Sequence, residues 1–208
     1  MTPIELPVSC TRQFFEVAFS QRACREFDER PVTDDEVRQI LLAATFAPSA
    51  MNHQPWVFVV VSAEESRAAL TTIMRELWEG LGRPATEGRV PDSLFDEVDM
   101  GFTKTLQGAP VLVVVAGDTG IAPADQLPWS IYPAVQNLLL AATAMGLGSA
   151  LTTIATFRAA EVQEITGLPP SLIPMAIIPI GWPARQLGRP RRLPLEGKAF
   201  RDRYAEPF

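Results

Sequence analysis

Hydrophobic positions along the chain follow two periods. Phe14, Phe15, Ala18 and Phe19 recur at helical spacing within a stretch from Ser9 to about Ser20, which the charged run "QRACREF" (21–27) then interrupts. A second helix opens at Thr33. Glu36, three residues on, completes a capping-box signature, and Val37, Ile40, Leu41 and Ala44 give the helix an apolar face. "WVFVVV" (56–61) is short, apolar and β-branched, the composition of a buried strand. Ser62 and Glu65 form a second capping-box signature, predicting a helix to about Leu81. Residues 80–93, "GLGRPATEGRVPDS", are dense in glycine and proline and read as a mobile loop. A helix over about 92–105 and a strand at 110–117 follow. "YPAVQNLLLAATAMGLG" (132–148) is apolar nearly all round and is expected to be buried on every side. "TFRAAEVQEITG" predicts a helix closed by Gly167, and "LIPMAIIPIG" (172–181) the last strand. From Trp182 to Phe208 there is no period. That proline-rich tail carries aromatics and basic residues and is expected to lie across something, a partner subunit being one candidate.

Strands alternating with helices in 208 residues point to one domain, α/β or α+β, with a mixed sheet. The apolar share of 47% is that of a globular protein. A net charge of -6 argues against nucleic acid as partner, yet leaves room for a small anion held by local arginines. Two cysteines, Cys10 and Cys24, and the single His53 are too few for a Cys/His structural zinc site. No signal peptide is read, and no apolar run is long enough to span a bilayer. The expected setting is therefore the reducing cytoplasm, away from membranes.

Arg22 and Arg25 near one end, with Arg189, Arg191 and Arg192 near the other, would make an anion site if the fold brought them together. Apart, they merely solvate two edges. "APSAMNHQPW" (47–56) is small and polar between an apolar helix and an apolar strand. Pro48 stops the helix. Ser49, Asn52 and Gln54 offer hydrogen-bonding groups, and Ala50 permits close approach. Such residues either satisfy their own turn or meet the polar edge of a flat heterocycle. Cys24 reads as a small packed residue, with a Cys24–His53 nucleophile pair as a remote alternative. "GLG" (146–148) is no dinucleotide fingerprint, since it follows a helix. Thr152 and Thr153 read as strand residues, and Trp56 and Trp182 as packing residues.

In order along the chain, these segments resemble the FMN-dependent nitroreductase family. "QRACREF" is similar to its "RRSxRxF", "PVTDDEVRQILLAATFAPSAMNHQPWVFVVV" to its "PVxxExLxxILxAAxxAPSxxNxQPWxFVVV", residues 136–149 to "QNLLLAAxAxGLGS", and "PIGWPARQLGRPRRLPLE" to its C-terminal pattern. The resemblance implies an α+β, three-layer α/β/α fold with a central mixed, mainly antiparallel sheet. It implies a homodimer binding FMN at the subunit interface, with a C-terminal tail (182–208) exchanged between subunits. Arg22 and Arg25 would meet the FMN, Arg25 near the N1/O2 edge, and Arg191 and Arg192 would help hold the phosphate. Pro48, Ser49, Ala50 and Asn52 would line the flavin, Asn52 from the other subunit, with Gln54 close behind. Leu151, Thr152 and Thr153 would lie by N5. Gln21 and Ala23 stand where the family has arginine and serine, so two cofactor contacts are expected to be lost. NADH or NADPH would deliver hydride to N5 in a ping-pong cycle, and an electron-poor small molecule such as a nitroaromatic or quinone would accept it. No side chain need act as acid or base, so no catalytic residue is assigned. Three rival readings stand beside this one. They are a reductive dehalogenase of the same fold, a flavin-binding protein without reductase activity, and a thiol hydrolase acting through Cys24.

Overall fold

A computed structural model describes residues 14–208. The expected helix from Ser9 is helical where it is described, as α1 (Phe14–Ser20); its first residues lie outside the described part. α2 (Asp34–Thr45) carries the predicted cap in full: Glu36 N donates to Thr33 Oγ1, and Thr33 N donates to Glu36 Oε2 at 2.7 Å. β1 (Trp56–Val61) leads to α3 (Glu64–Leu77). The second expected capping box does not form. The cap position falls on Ala63, which puts Glu65 one place short of where it could reach back, and the Ser62 carbonyl instead accepts from Arg67 Nε.

The segment expected to be a loop from residue 80 is largely helical. α3 widens into a π turn (Trp78–Gly82) and continues as α4 (Arg83–Thr86), leaving only a short turn before α5 (Asp92–Met100). A second π turn (Gly101–Thr105) follows α5. The two π turns are tied together: Trp78 stacks on Phe102 at 5.0 Å, and its indole N–H donates to Asp99 at 2.8 Å. Glycine and proline density suggested a loop, but burying Trp78 outweighed it.

β2 (Val111–Asp118) precedes α6 (Leu127–Ala144), which starts five residues before the expected 132. Pro133 sits inside the helix. The carbonyl it cannot serve belongs to Trp129, which is 67% exposed and can be hydrated. β3 (Gly148–Ser149), α7 (Ala159–Thr166) and β4 (Leu172–Gly181) complete the order, with Gly167 closing α7 at φ 68° as expected.

The strands pair in the order β1-β2-β4-β3, all antiparallel. The mixed character expected of the sheet is confined, among the described residues, to one parallel bridge between Ala23 and Ser149. β1 is an edge strand and only half-buried, with Val60 exposed, which corrects its reading as a buried strand. β2 is the buried strand, and its alternate residues feed two cores. Val111, Val113 and Val115 pack with α2 and α6 on one face; Leu112, Val114 and Ala116 pack with α3 and α7 on the other. The result is an α/β/α sandwich. α6 buries one continuous stripe, including Ile131, Val135 and Leu138, but leaves Trp129 and Gln136 exposed, so within one chain it is not buried on every side as expected.

Candidate cofactor site

After α1 the chain runs extended along the β3 edge. Cys24 N donates to the Ser149 carbonyl at 2.9 Å, and Phe27 bridges to Pro183. Gly148 is required here, because a Cβ on it would lie 2.5 Å from Cys24 Sγ. This seating presents Arg22 and Arg25 to α5, where both find Glu97. Arg22 Nη2 donates to the two carboxylate oxygens at 3.2 and 3.0 Å, and Arg25 Nη1 donates to Oε1 at 3.5 Å. The stem of Arg25 passes over Gly101, where a Cβ would sit 2.5 Å from Arg25 Cδ. Thr105 Oγ1 donates to the Arg25 carbonyl at 2.6 Å. Burial pushes the Arg25 guanidinium below its ordinary value; Glu97 opposes that shift and Arg22 adds to it. The group remains a cation at neutral pH.

Among the described residues, two buried polar atoms beside this cluster have no partner, Arg25 Nε and Ser149 Oγ. A cavity of about 360 Å³ opens against Ala23, Arg25, Glu97, Met100, Thr105 and Arg185. A neighbouring one of about 270 Å³ shares Arg185 and is lined by Arg22, Gly146 and Gly148. A guanidinium that lines a cavity fits a ligand with an anionic or carbonyl edge.

The 48–54 loop is backbone-strained. Met51, Asn52 and Gln54 all have positive φ (52°, 57° and 51°), a region that non-glycine residues seldom occupy. Ser49 Oγ accepts from Gln54 N at 3.0 Å, Ala50 N donates to Ser130 Oγ at 3.1 Å, and Gln54 Nε2 donates to Asn52 Oδ1 at 3.2 Å. So the loop does satisfy itself, at the cost of unusual torsions.

A single chain does not bring these residues together. Ala23 is aligned through Ser149 and Ile180 with Val111, at one end of the sheet. The 48–54 loop feeds Trp56, aligned with Gly117 at the other end. At ~3.4 Å per residue, Val111 and Gly117 are about 20 Å apart. Between the two ends lies Thr152, bridged to Ile177. Its buried hydroxyl donates to the Ile177 carbonyl at 2.6 Å, so it is not free for a ligand, whereas Thr153 is exposed with no partner for its hydroxyl among the described residues, and Leu151 is exposed too. Arg191 and Arg192 stand on the exposed tail and do not meet Arg22 or Arg25; the one bond between them is Arg192 Nη1 to the Arg191 carbonyl. Gln21 is part-buried and hydrogen-bonded through its backbone to Val17.

The Cys24–His53 pair is excluded. Cys24 is buried at the β3 edge, its thiol donating to the Glu26 carbonyl at 3.3 Å, and burial pushes its pKa up. His53 is exposed in the distant loop.

The nitroreductase family model matches residues 18–182, most of the chain and all four strands. The chain belongs to the nitroreductase family. Among curated relatives, a putative NADH dehydrogenase/NAD(P)H nitroreductase of Archaeoglobus fulgidus is 27% identical over 79% of this chain and 82% of its own. An iodotyrosine deiodinase of Thermotoga neapolitana is 32% identical, covering 83% and 89%. Among solved structures, an oxidized iodotyrosine deiodinase bound to FMN and 3-iodo-L-tyrosine superposes with TM-score 0.75 at 27% identity, covering 88% of this chain and 96% of that one. Membership marks the chain as an oxidoreductase, and among the described residues no helix is long and apolar enough to cross a membrane.

Four residues at the candidate site escaped the sequence reading: Glu97, Gly101, Thr105 and Arg185. Only the basic residue at 185, close to "GRPRR", carried any signal. The other three lie in a helical stretch whose pattern speaks of packing.

Proposed function

We propose that the protein is an FMN-dependent NAD(P)H oxidoreductase that reduces electron-poor small molecules such as nitroaromatics or quinones, acting as a cytoplasmic homodimer. The observation that carries this reading is the part-buried Arg22–Arg25 pair, whose Arg25 lines a 360 Å³ cavity and has a buried Nε without a partner among the described residues. When bound, FMN would supply the redox chemistry, accepting hydride at N5 and passing it to the acceptor. Arg25 would hold the N1/O2 edge and favour negative charge there. Thr153, whose hydroxyl is free, would meet the N5 edge with Leu151 beside it.

Dimerisation answers the 20 Å separation. A second chain would bring its 48–54 loop, with Pro48, Ser49, Ala50 and Asn52, against the Arg22–Arg25 half of the first. Exposed apolar residues on α1 (Phe14, Phe15, Phe19) and on the tail (Leu193 at 77%, Leu195) support such a contact. The tail would then wrap its partner and bring Arg191 and Arg192 to the phosphate. The test is an absorption spectrum of the purified protein before and after anaerobic NADPH, then NADH. Flavin bands that bleach are expected. Bands that persist would leave a flavin carrier, and a protein that stays colourless after added FMN would defeat the reading.

Reductive dehalogenation is the second reading, favoured by the free Thr153 hydroxyl and the 32%-identical deiodinase. Halide release from a halotyrosine under reducing conditions would select it.

A further inference from the structure

We propose that Glu97 is a built-in counter-anion that occupies the arginines in place of the cofactor, so that FMN must draw Arg22 and Arg25 away from α5 to bind. This rests on the FMN reading above. One carboxylate engages both guanidinium groups, with contacts of 3.0 to 3.5 Å, and it is itself part-buried. No comparable pairing holds the other arginines near the cavity: Arg185 reaches Glu26 only at 3.6 Å and is largely exposed.

The surrounding charge sharpens the competition. Glu26, Asp96 and Glu97 line the same cavity as Arg25 and Arg185, so the site offers an anion no surplus of positive charge while Glu97 stays in place. Gly101 fixes the stem of Arg25 against the second π turn, and the Thr105 hydroxyl holds its carbonyl. What can swing is therefore the guanidinium head and the Glu97 side chain. α5 does not depend on that ion pair for its seat. Phe95 packs near Trp78, and Asp99 accepts from the Trp78 indole and pairs with Arg83.

The experiment compares the full-length protein with E97Q and E97D, each stripped of flavin and titrated with FMN by flavin fluorescence, with thermal unfolding as a control on folding. E97Q keeps the shape of the side chain but removes the charge. It is expected to bind FMN at least about tenfold more tightly, the effect of losing one charge-assisted competitor. E97D keeps the charge but is too short to bridge both arginines, so it should tighten FMN by a smaller factor even if E97Q folds poorly. Equal or weaker FMN binding by both variants, with the parent protein binding normally, would overturn this proposal and leave the FMN reading intact. Failure of the parent and the variants alike to bind FMN would overturn both.

Discussion

Thr152 and Thr153 are adjacent and chemically identical, yet the fold gives them different work. The first spends its hydroxyl on the Ile177 carbonyl inside the protein; the second keeps its own free at the surface. Thr152→Val should therefore cost about 1 kcal/mol of stability, read by urea unfolding, from one lost internal hydrogen bond. Thr153→Ala should leave stability unchanged and slow flavin bleaching by NAD(P)H. Cys24 tells a similar story. In sequence it is a potential nucleophile; in the structure it is packed against Gly148 and protonated. Its folded pKa lies above the ordinary 9.0, so the stability it contributes is present below pH 9 and is lost as pH rises through the folded value. In a Cys10→Ser background, iodoacetamide should label Cys24 slowly at neutral pH and rapidly after unfolding. Fast labelling of the folded protein would refute the buried-thiol assignment. Residue types were legible here, but which of two equals faces inward depends on register with β4, and that is a pairing across 25 positions of sequence.

Among the elements, those that bury one face of a regular period were readable from the chain alone. α2 has its cap and its apolar stripe, and β4 spans the expected 172–181. The helices to about Leu81 and over about 92–105 were readable too, but the helical continuation through 80–86 was not, because what shapes it is a stack between side chains 24 positions apart, Trp78 on Phe102. The close approach at Gly101 belongs to this level too. A methyl group there would meet the stem of Arg25 at 2.5 Å, and that stem cannot retreat without shifting the guanidinium. Gly101→Ala is expected to weaken FMN binding by an order of magnitude or more while the protein stays folded, as measured by flavin fluorescence and circular dichroism. Unchanged affinity would mean that Arg25 is not a cofactor contact. Gly80, by contrast, has open space around it, and Gly80→Ala serves as a neutral control.

For the whole molecule, the separation of the two candidate half-sites is the decisive feature. Residues about 20 Å apart along β2 cannot touch one planar ligand within one chain. The exposed tail, with Tyr204 at 87% and Phe208 at 78%, adds apolar surface that an isolated chain would leave in water. Sedimentation is expected to give a dimer. Deleting residues 186–208 should yield monomer, or a weakened dimer, with loss of FMN; a truncated chain that keeps both the dimer and the flavin would refute the tail's role. The sequence by itself determined the periodic elements, the family and the small polar loop at 48–54, because hydrophobic spacing and short motifs are local properties. Tertiary structure alone decided that Glu97 pairs with both Arg22 and Arg25, that Thr152 rather than Thr153 spends its hydroxyl inside the protein, and that the two candidate half-sites lie at opposite ends of the sheet. Those are consequences of strand register and packing between distant segments, which local pattern does not encode.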